Sequence, residues 1–140
     1  MREISDNMCG LLSYNYQWER EIEVSLWGKM YRLKLAIESE TDEDESVSEI
    51  QRKAYQSFQA QHASLEDEIL NRLVSYCKDD LGIADCTKEM FLVHNRPTSI
   101  FLPLSGEWVV MFDSDYAEEE GLAAVVREGK IDVGTQDIIL

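Results

Sequence analysis

The stretch IEVSLWGKMYRLKLAI, residues 22–37, narrows the choice of fold more than any other part of the chain. Ile22, Val24 and Leu26 alternate with Glu23, Ser25 and Trp27. Beyond Gly28-Lys29, Tyr31, Leu33, Leu35 and Ile37 alternate with Arg32, Lys34 and Ala36. A period of two on both sides of a two-residue turn predicts an antiparallel hairpin with one buried face. Glycine at the first turn position predicts a type II′ turn. Counting back from that turn pairs Trp27 with Met30, Leu26 with Tyr31, Val24 with Leu33 and Ile22 with Leu35. Glu23 then stands across from Lys34 on the opposite, solvated face. LLSYNYQW, residues 11–18, predicts a further edge strand.

Helices follow. Residues 38–49 hold seven acids and no base (Glu38, Glu40, Asp42, Glu43, Asp44, Glu45 and Glu49), the composition of a solvated loop. Ser46 with Glu49 forms a capping box that predicts a helix whose face carries Val47, Ile50, Ala54 and Phe58. Ser64 with Asp67 forms a second box, followed by Leu65, Ile69, Leu73 and Cys77 at four-residue steps and widened by Leu70, Val74 and Tyr76. A link at Gln61 to Ala63 makes the two helices neighbours, and Gly82 is placed to cap the second.

From Pro97 the period returns to two. Thr98–Leu104 and Glu107–Asp113 are predicted strands joined by Ser105-Gly106; Gly121–Arg127 and Lys130–Val133 are joined by Glu128-Gly129. With Arg127 facing Lys130, Val126 meets Ile131 and Ala124 meets Val133. Strands, two helices, then strands predict one α+β domain over residues 1–140, a mostly antiparallel sheet packed against a pair of consecutive helices.

The charge is unusual: 28 acids against 13 bases, a formal net of −15. Nucleic acid and anionic membrane are poor partners for such a surface, because both require clustered Lys and Arg. A basic protein is a good one. The first ten residues carry no apolar signal region, and no run approaches the length of a membrane span. Cys9, Cys77 and Cys86 form no CxxC pair; an odd set of this kind is expected as free thiols in a reducing compartment, the cytoplasm.

Candidate chemistry centres on FDSDYAEEEG, residues 112–121. Asp113 and Asp115 match the first two ligands of a calcium loop, but Ala117, Glu118 and Ala124 occupy positions that need a ligand, a glycine and a glutamate. The stretch is expected to be a polar connection between strands, with Gly121 at re-entry. His62 and His94 lack partners at zinc spacing and are expected in loops or at the surface. No phosphate-binding glycine loop, nucleophile elbow or H-E-x-x-H motif occurs. No metal and no cofactor is expected. Among the aromatics near the hairpin, Trp27 falls beside the turn on the face away from the core, a candidate docking anchor.

Three stretches carry a resemblance: W-x-x-x-I-x-V-x-L-x-G-K-x-Y-x-L-x-L-x-I (Trp18 to Ile37), S-x-I-Q-x-x-A-Y-x-x-F (Ser48 to Phe58), and acidic-G-L-A-A-V-V-x-x-G-K-I-x-x-V-G-x-Q-D (Glu120 to Asp137). Their order resembles a bacterial family of small domains of unknown function, similar in character to immunity proteins encoded beside toxins. Gln51, Gln136 and Asp137 are the polar positions that stand out, and the resemblance gives them no role. It implies a non-enzymatic immunity protein that occludes a cognate toxin, a basic nuclease. The expected contact residues are Trp27, Asp42, Glu43, Asp44, Glu45, Asp115, Glu118, Glu119 and Glu120. The alternatives are a metal-dependent hydrolase built on Asp113, Asp115 and His94, and a structural or regulatory adaptor.

Overall fold

A computed structural model describes residues 2–39 and 46–139. Among these, eight strands form one sheet in chain order: β1 (Glu3–Asp6), β2 (Gly10–Tyr14), β3 (Trp18–Leu26), β4 (Lys29–Ile37), β5 (Asn95–Leu102), β6 (Trp108–Ser114), β7 (Leu122–Arg127) and β8 (Lys130–Thr135). Helices α1 (Glu49–Asp79) and α2 (Lys88–His94) lie between β4 and β5, and a 3-10 turn, Gln136–Ile139, follows β8. Neighbouring strands are antiparallel except β4 and β5, which run parallel across the helical connection. The α+β class follows: two antiparallel meanders joined at one parallel seam, with helices packed on the sheet.

The first hairpin forms where the alternation places it, but its turn is Trp27-Gly28. Both residues have positive φ, 51° and 78°, and Leu26 pairs with Lys29, Val24 with Tyr31 and Ile22 with Leu33. Glu23 therefore faces Arg32, and Lys34 faces Glu21. Two positive φ values are the signature of a type I′ turn, whose twist matches that of the strands. The register moves by two residues, so every side chain keeps its face. Val24, Leu26, Leu33 and Leu35 are buried, while Met30 is 65% exposed. The last hairpin uses the same device at Glu128-Gly129, with φ of 52° and 80°, and its register is the expected one.

The two expected helices at residues 46–77 are one. Its N-cap is Ser48, boxed with Gln51, and it runs unbroken for 31 residues, about 46 Å. No Gly or Pro interrupts residues 49–79. The Ser64 hydroxyl donates back to Gln61 O at 3.0 Å instead of capping a new helix. Gly82, at φ 74°, does end the chain's helical path: Ile83 N–H returns to Cys77 O at 2.9 Å. The second helix is α2, capped by the Thr87 hydroxyl on Met90 N–H. Strand β1 and the terminal 3-10 turn were not anticipated by the periodicity.

The core lies between the sheet and the helices. Phe58 meets Trp108 edge-on at 5.2 Å, and Phe91 meets Phe112 at 5.6 Å. Each such buried ring contributes roughly 1.5–3 kcal/mol. On the other face, Glu21 and Glu23 pair with Arg32, and Glu19 with Lys34. His62 sits inside α1, half-buried and stacked on Phe58 at 4.8 Å, rather than in a loop. Burial lowers its pKa, and Glu66 opposes that shift.

Two buried polar residues bind the halves together. Gln51 Nε2 donates to Glu38 O at 2.7 Å and Leu102 O at 3.0 Å, at the shared end of the parallel strands, while its Oε1 accepts from Ser48 N–H. Asp6 accepts from Met8 N–H and Cys9 N–H, both at 2.9 Å, and from Arg52 Nε at 2.7 Å. Burial pushes the Asp6 carboxyl up, but the bonds from Cys9, Arg52 and Met8 outweigh it and hold it below its ordinary 3.8.

Two outcomes follow from these clamps. Gln51→Leu keeps the volume but removes the amide donor from Glu38 O and one of the two donors from Leu102 O, and urea unfolding should show a loss of about 1–3 kcal/mol. Because Asp6 has a depressed pKa in the fold, its contribution is complete above the unfolded value and is lost as pH falls through the folded one. The unmodified protein should therefore lose stability more steeply than Asp6→Asn as pH drops below 3.8, read as thermal midpoints from pH 6 to pH 2.

Candidate protein-docking surface

The acidic stretch is the connection from β6 to β7, and backbone bonds hold both of its ends. Asp115 N–H donates to His94 O at 2.9 Å, and Gly121 N–H closes onto Ala117 O at 2.7 Å. Gly121 has a φ of 66°, and a Cβ there would lie 2.6 Å from Phe112 O and against the Gln136 amide. That space is used: Gln136 Nε2 donates to Phe112 O at 3.0 Å, and Gln136 N–H to Gly121 O at 3.2 Å. Asp137 accepts from the Thr135 hydroxyl. Gly121 and Gln136-Asp137, far apart in sequence, thus form one lock. With the ends fixed, Glu118, Glu119 and Glu120 all face solvent.

Other elements bring more carboxylates to this end. Tyr76, near the C-terminus of α1, is half-buried; burial raises its hydroxyl pKa, and Asp80, Asp137 and Glu120 raise it further. Three separate segments therefore aim negative fields at one hydroxyl. Asp79, Asp80 and Asp132 line a shallow depression of about 620 Å³ beside Tyr76. Among the described residues, Glu118, Glu119, Glu120, Asp79, Asp80 and Asp132 form no ion pair; Arg72 lines the same depression but is paired with Glu68, and Arg32, Lys34, Arg52, Arg96 and Arg127 each hold another carboxylate.

The remaining sequence candidates fall in different places. Asp115 is exposed and takes part in a 3.1 Å contact with His94 Nδ1. His94 is the last residue of α2 and lies 5.2 Å from Tyr116, ring to ring. Asp113 is drawn instead to Arg96, at 3.5 Å. Among the described residues, no three His, Cys, Asp or Glu side chains gather in a metal-holding arrangement. Trp27 does not project from the face away from the core. It is half-buried on the helix side, its indole N–H donated to Glu66 O at 2.8 Å and its ring 5.9 Å from Phe112. The left-handed turn swings the side chain across to α1. Asp42, Glu43, Asp44 and Glu45 lie outside the described residues.

Sequence reasoning missed Asp79, Asp80 and Asp132 because each stands in a segment whose local pattern is structural. Only the packing of α1 along β8 brings them together beside Tyr76. Cys9, Cys77 and Cys86 are free and buried, and burial first of all pushes the Cys9 and Cys77 thiols up to about 12.

Among the described residues, no helix is long and apolar enough to cross a membrane. Neither the curated proteins nor the solved structures give a match to the chain. A family model does match, over residues 8–140, and it spans the hairpin, both helices and the Gly121–Gln136 lock. The chain belongs to the family described as Domain of unknown function (DUF6985).

Proposed function

We propose that this protein is a non-enzymatic acidic binding protein, a cytoplasmic bacterial immunity protein that neutralises a cognate toxin by occlusion. The toxin is a basic nuclease whose Lys and Arg side chains normally hold nucleic-acid phosphates. The observation that carries this reading is the convergence of unpaired carboxylates from the β6–β7 connection, the end of α1 and β8. An unpaired carboxylate keeps its charge available to a partner, whereas one in an internal ion pair is largely neutralised at a distance. A field of this sign speeds encounter with a basic surface and orients it, and close contacts then set the dissociation rate. The locked ends of the connection favour the same reading, because little ordering entropy is lost when Glu118–Glu120 meet a partner. The rival hydrolytic reading draws on the His94–Asp115 contact, but Asp113 is directed away from it to Arg96.

The test is co-purification with the product of the adjacent gene. A stoichiometric complex and protection of cells are expected. Reversing Glu118→Lys, Glu119→Lys and Glu120→Lys together should slow association about 10- to 100-fold at low salt, with a smaller change at high salt. Absence of a complex at micromolar concentration, or an association rate indifferent to the reversal, would remove the reading.

A further inference from the structure

Strand β3 has two edges, and only one is paired along its whole length. Toward β4 the ladder runs from Trp18 to Leu26; toward β2 it holds only Trp18 with Tyr14 and Glu19 with Ser13. The split is built in. The Arg20 guanidinium crosses the gap and donates to Cys9 O at 2.8 Å, and a Cβ at Gly10 would collide with it. An opening of about 340 Å³ lies there, lined in part by Ser13, Arg20 and Glu21. The two-residue turn closes on a hydrogen-bonded pair, Leu26 with Lys29, and bonding alternates from there. Even-numbered residues of β3 therefore bond β4, and odd-numbered ones direct N–H and C=O the other way. Glu19 meets Ser13. Glu21, Glu23 and Ser25 are left: all three are exposed, and among the described residues no hydrogen bond reaches their outward backbone groups.

From this open edge we infer that residues 21–25 of β3 receive an extended segment of a partner protein as an added strand, one with Lys or Arg at alternate positions and apolar residues between. The unpaired backbone groups supply affinity, and the alternating side chains select the partner. The Glu21 and Glu23 side chains stand on the outer face, where a single guanidinium, Arg32, serves both, at 3.2 and 3.7 Å. Basic residues of an incoming strand would face these two carboxylates directly across the ladder. The intervening positions fall beside Ile22 and Val24, which keep 7% and 5% exposure at the rim of the core, whereas Leu33 and Leu35, one strand inward, are sealed. The same chemistry disfavours a second copy of this chain. Antiparallel pairing of β3 with its own copy sets Glu23 opposite Glu21 or Glu23, and like charges directly opposite are destabilising. The inference goes beyond the acidic surface at the β6–β7 connection and does not depend on the toxin reading.

The probe is an N-acetylated, C-amidated Lys-Val-Lys-Val-Lys peptide, added to the full-length protein and followed by amide NMR and hydrogen exchange. In the free protein, exchange should alternate along β3: the amides of Ile22 and Val24 are protected, and those of Glu21, Glu23 and Ser25 exchange fast. The peptide should shift these three saturably and protect them. N-methylation of its central Lys, whose N–H points at β3, should weaken binding about tenfold or more, while N-methylation of a Val, whose N–H points away, should leave it unchanged. Replacing every Lys by Glu should abolish binding. Glu23→Pro removes an N–H that bonds nothing within the fold, so the thermal midpoint should move little while the peptide no longer binds. Should that variant fail to fold, Glu21→Gln with Glu23→Gln, both at exposed positions, should weaken the peptide about threefold or more. Uniform protection of residues 21–25 in the free protein, no saturable shift at millimolar peptide, or equal loss from the two N-methylated peptides would overturn the inference.

Discussion

The seam between β4 and β5 is the weak point of this architecture, and Gln51 holds it. Two antiparallel meanders each have their own hairpins to set register, but the parallel pair has only four matched residues on each strand. Parallel pairing is also slightly less stable per residue than antiparallel pairing. Gln51 compensates by bonding the carbonyls at the end of both strands, and Glu38 N–H donates to Leu102 O at 3.0 Å beside it. The same residue completes the N-cap of α1. One side chain thereby ties helix start, sheet seam and strand ends into a single unit, and the 31-residue helix is laid across the sheet from that anchor.

The position of the acidic surface follows from that anchoring. Fixed at its N-terminus by Gln51 and by the Arg52–Asp6 pair, α1 delivers Tyr76, Asp79 and Asp80 alongside β8. The Gly121–Gln136 lock delivers Glu120 toward Tyr76. Several bases are held in ion pairs: Arg32 and Lys34 pair with the carboxylates on the outer face of β3, Arg72 with Glu68 along α1 and Arg127 with Glu107. The net charge of −15 is thus not spread evenly. Ion pairs offset the carboxylates of the outer sheet face, while Glu118, Glu119 and Glu120 form none among the described residues.

Alternation in the sequence was sufficient to identify the hairpins and the α+β class, because a period of two with one apolar face permits few alternatives. It failed on the first turn because Trp is an unusual occupant of a left-handed position; only the bond from its indole to Glu66 O and the contact with Phe112 explain why it is there. The helix division failed for a related reason. The apolar stripe lapses over residues 59–64, where the side chains are mostly exposed, and Ser64-x-x-Asp67 resembles a cap, but nothing there breaks a helix. Gln51, Gln136 and Asp137 stood out in the sequence without a role. Gln51 and Gln136 bond to carbonyls whose positions depend on the tertiary fold, and Asp137 accepts locally from the Thr135 hydroxyl. The outward placement of Glu118–Glu120 was legible because an acidic turn between two apolar strands has nowhere else to point; their company with Asp80 and Asp137 was not.

If this concentration of charge is the working feature of the molecule, it can be measured without any partner. Paramagnetic broadening of amide signals by a cationic nitroxide, compared with an anionic one, maps the electrostatic potential residue by residue. The amides of residues 118–121 and 79–80 should show a much larger cation-to-anion ratio than those of the ion-paired face of β3 and β4. An equal ratio at the two places would mean that the surplus charge is diffuse and that the connection is no docking field.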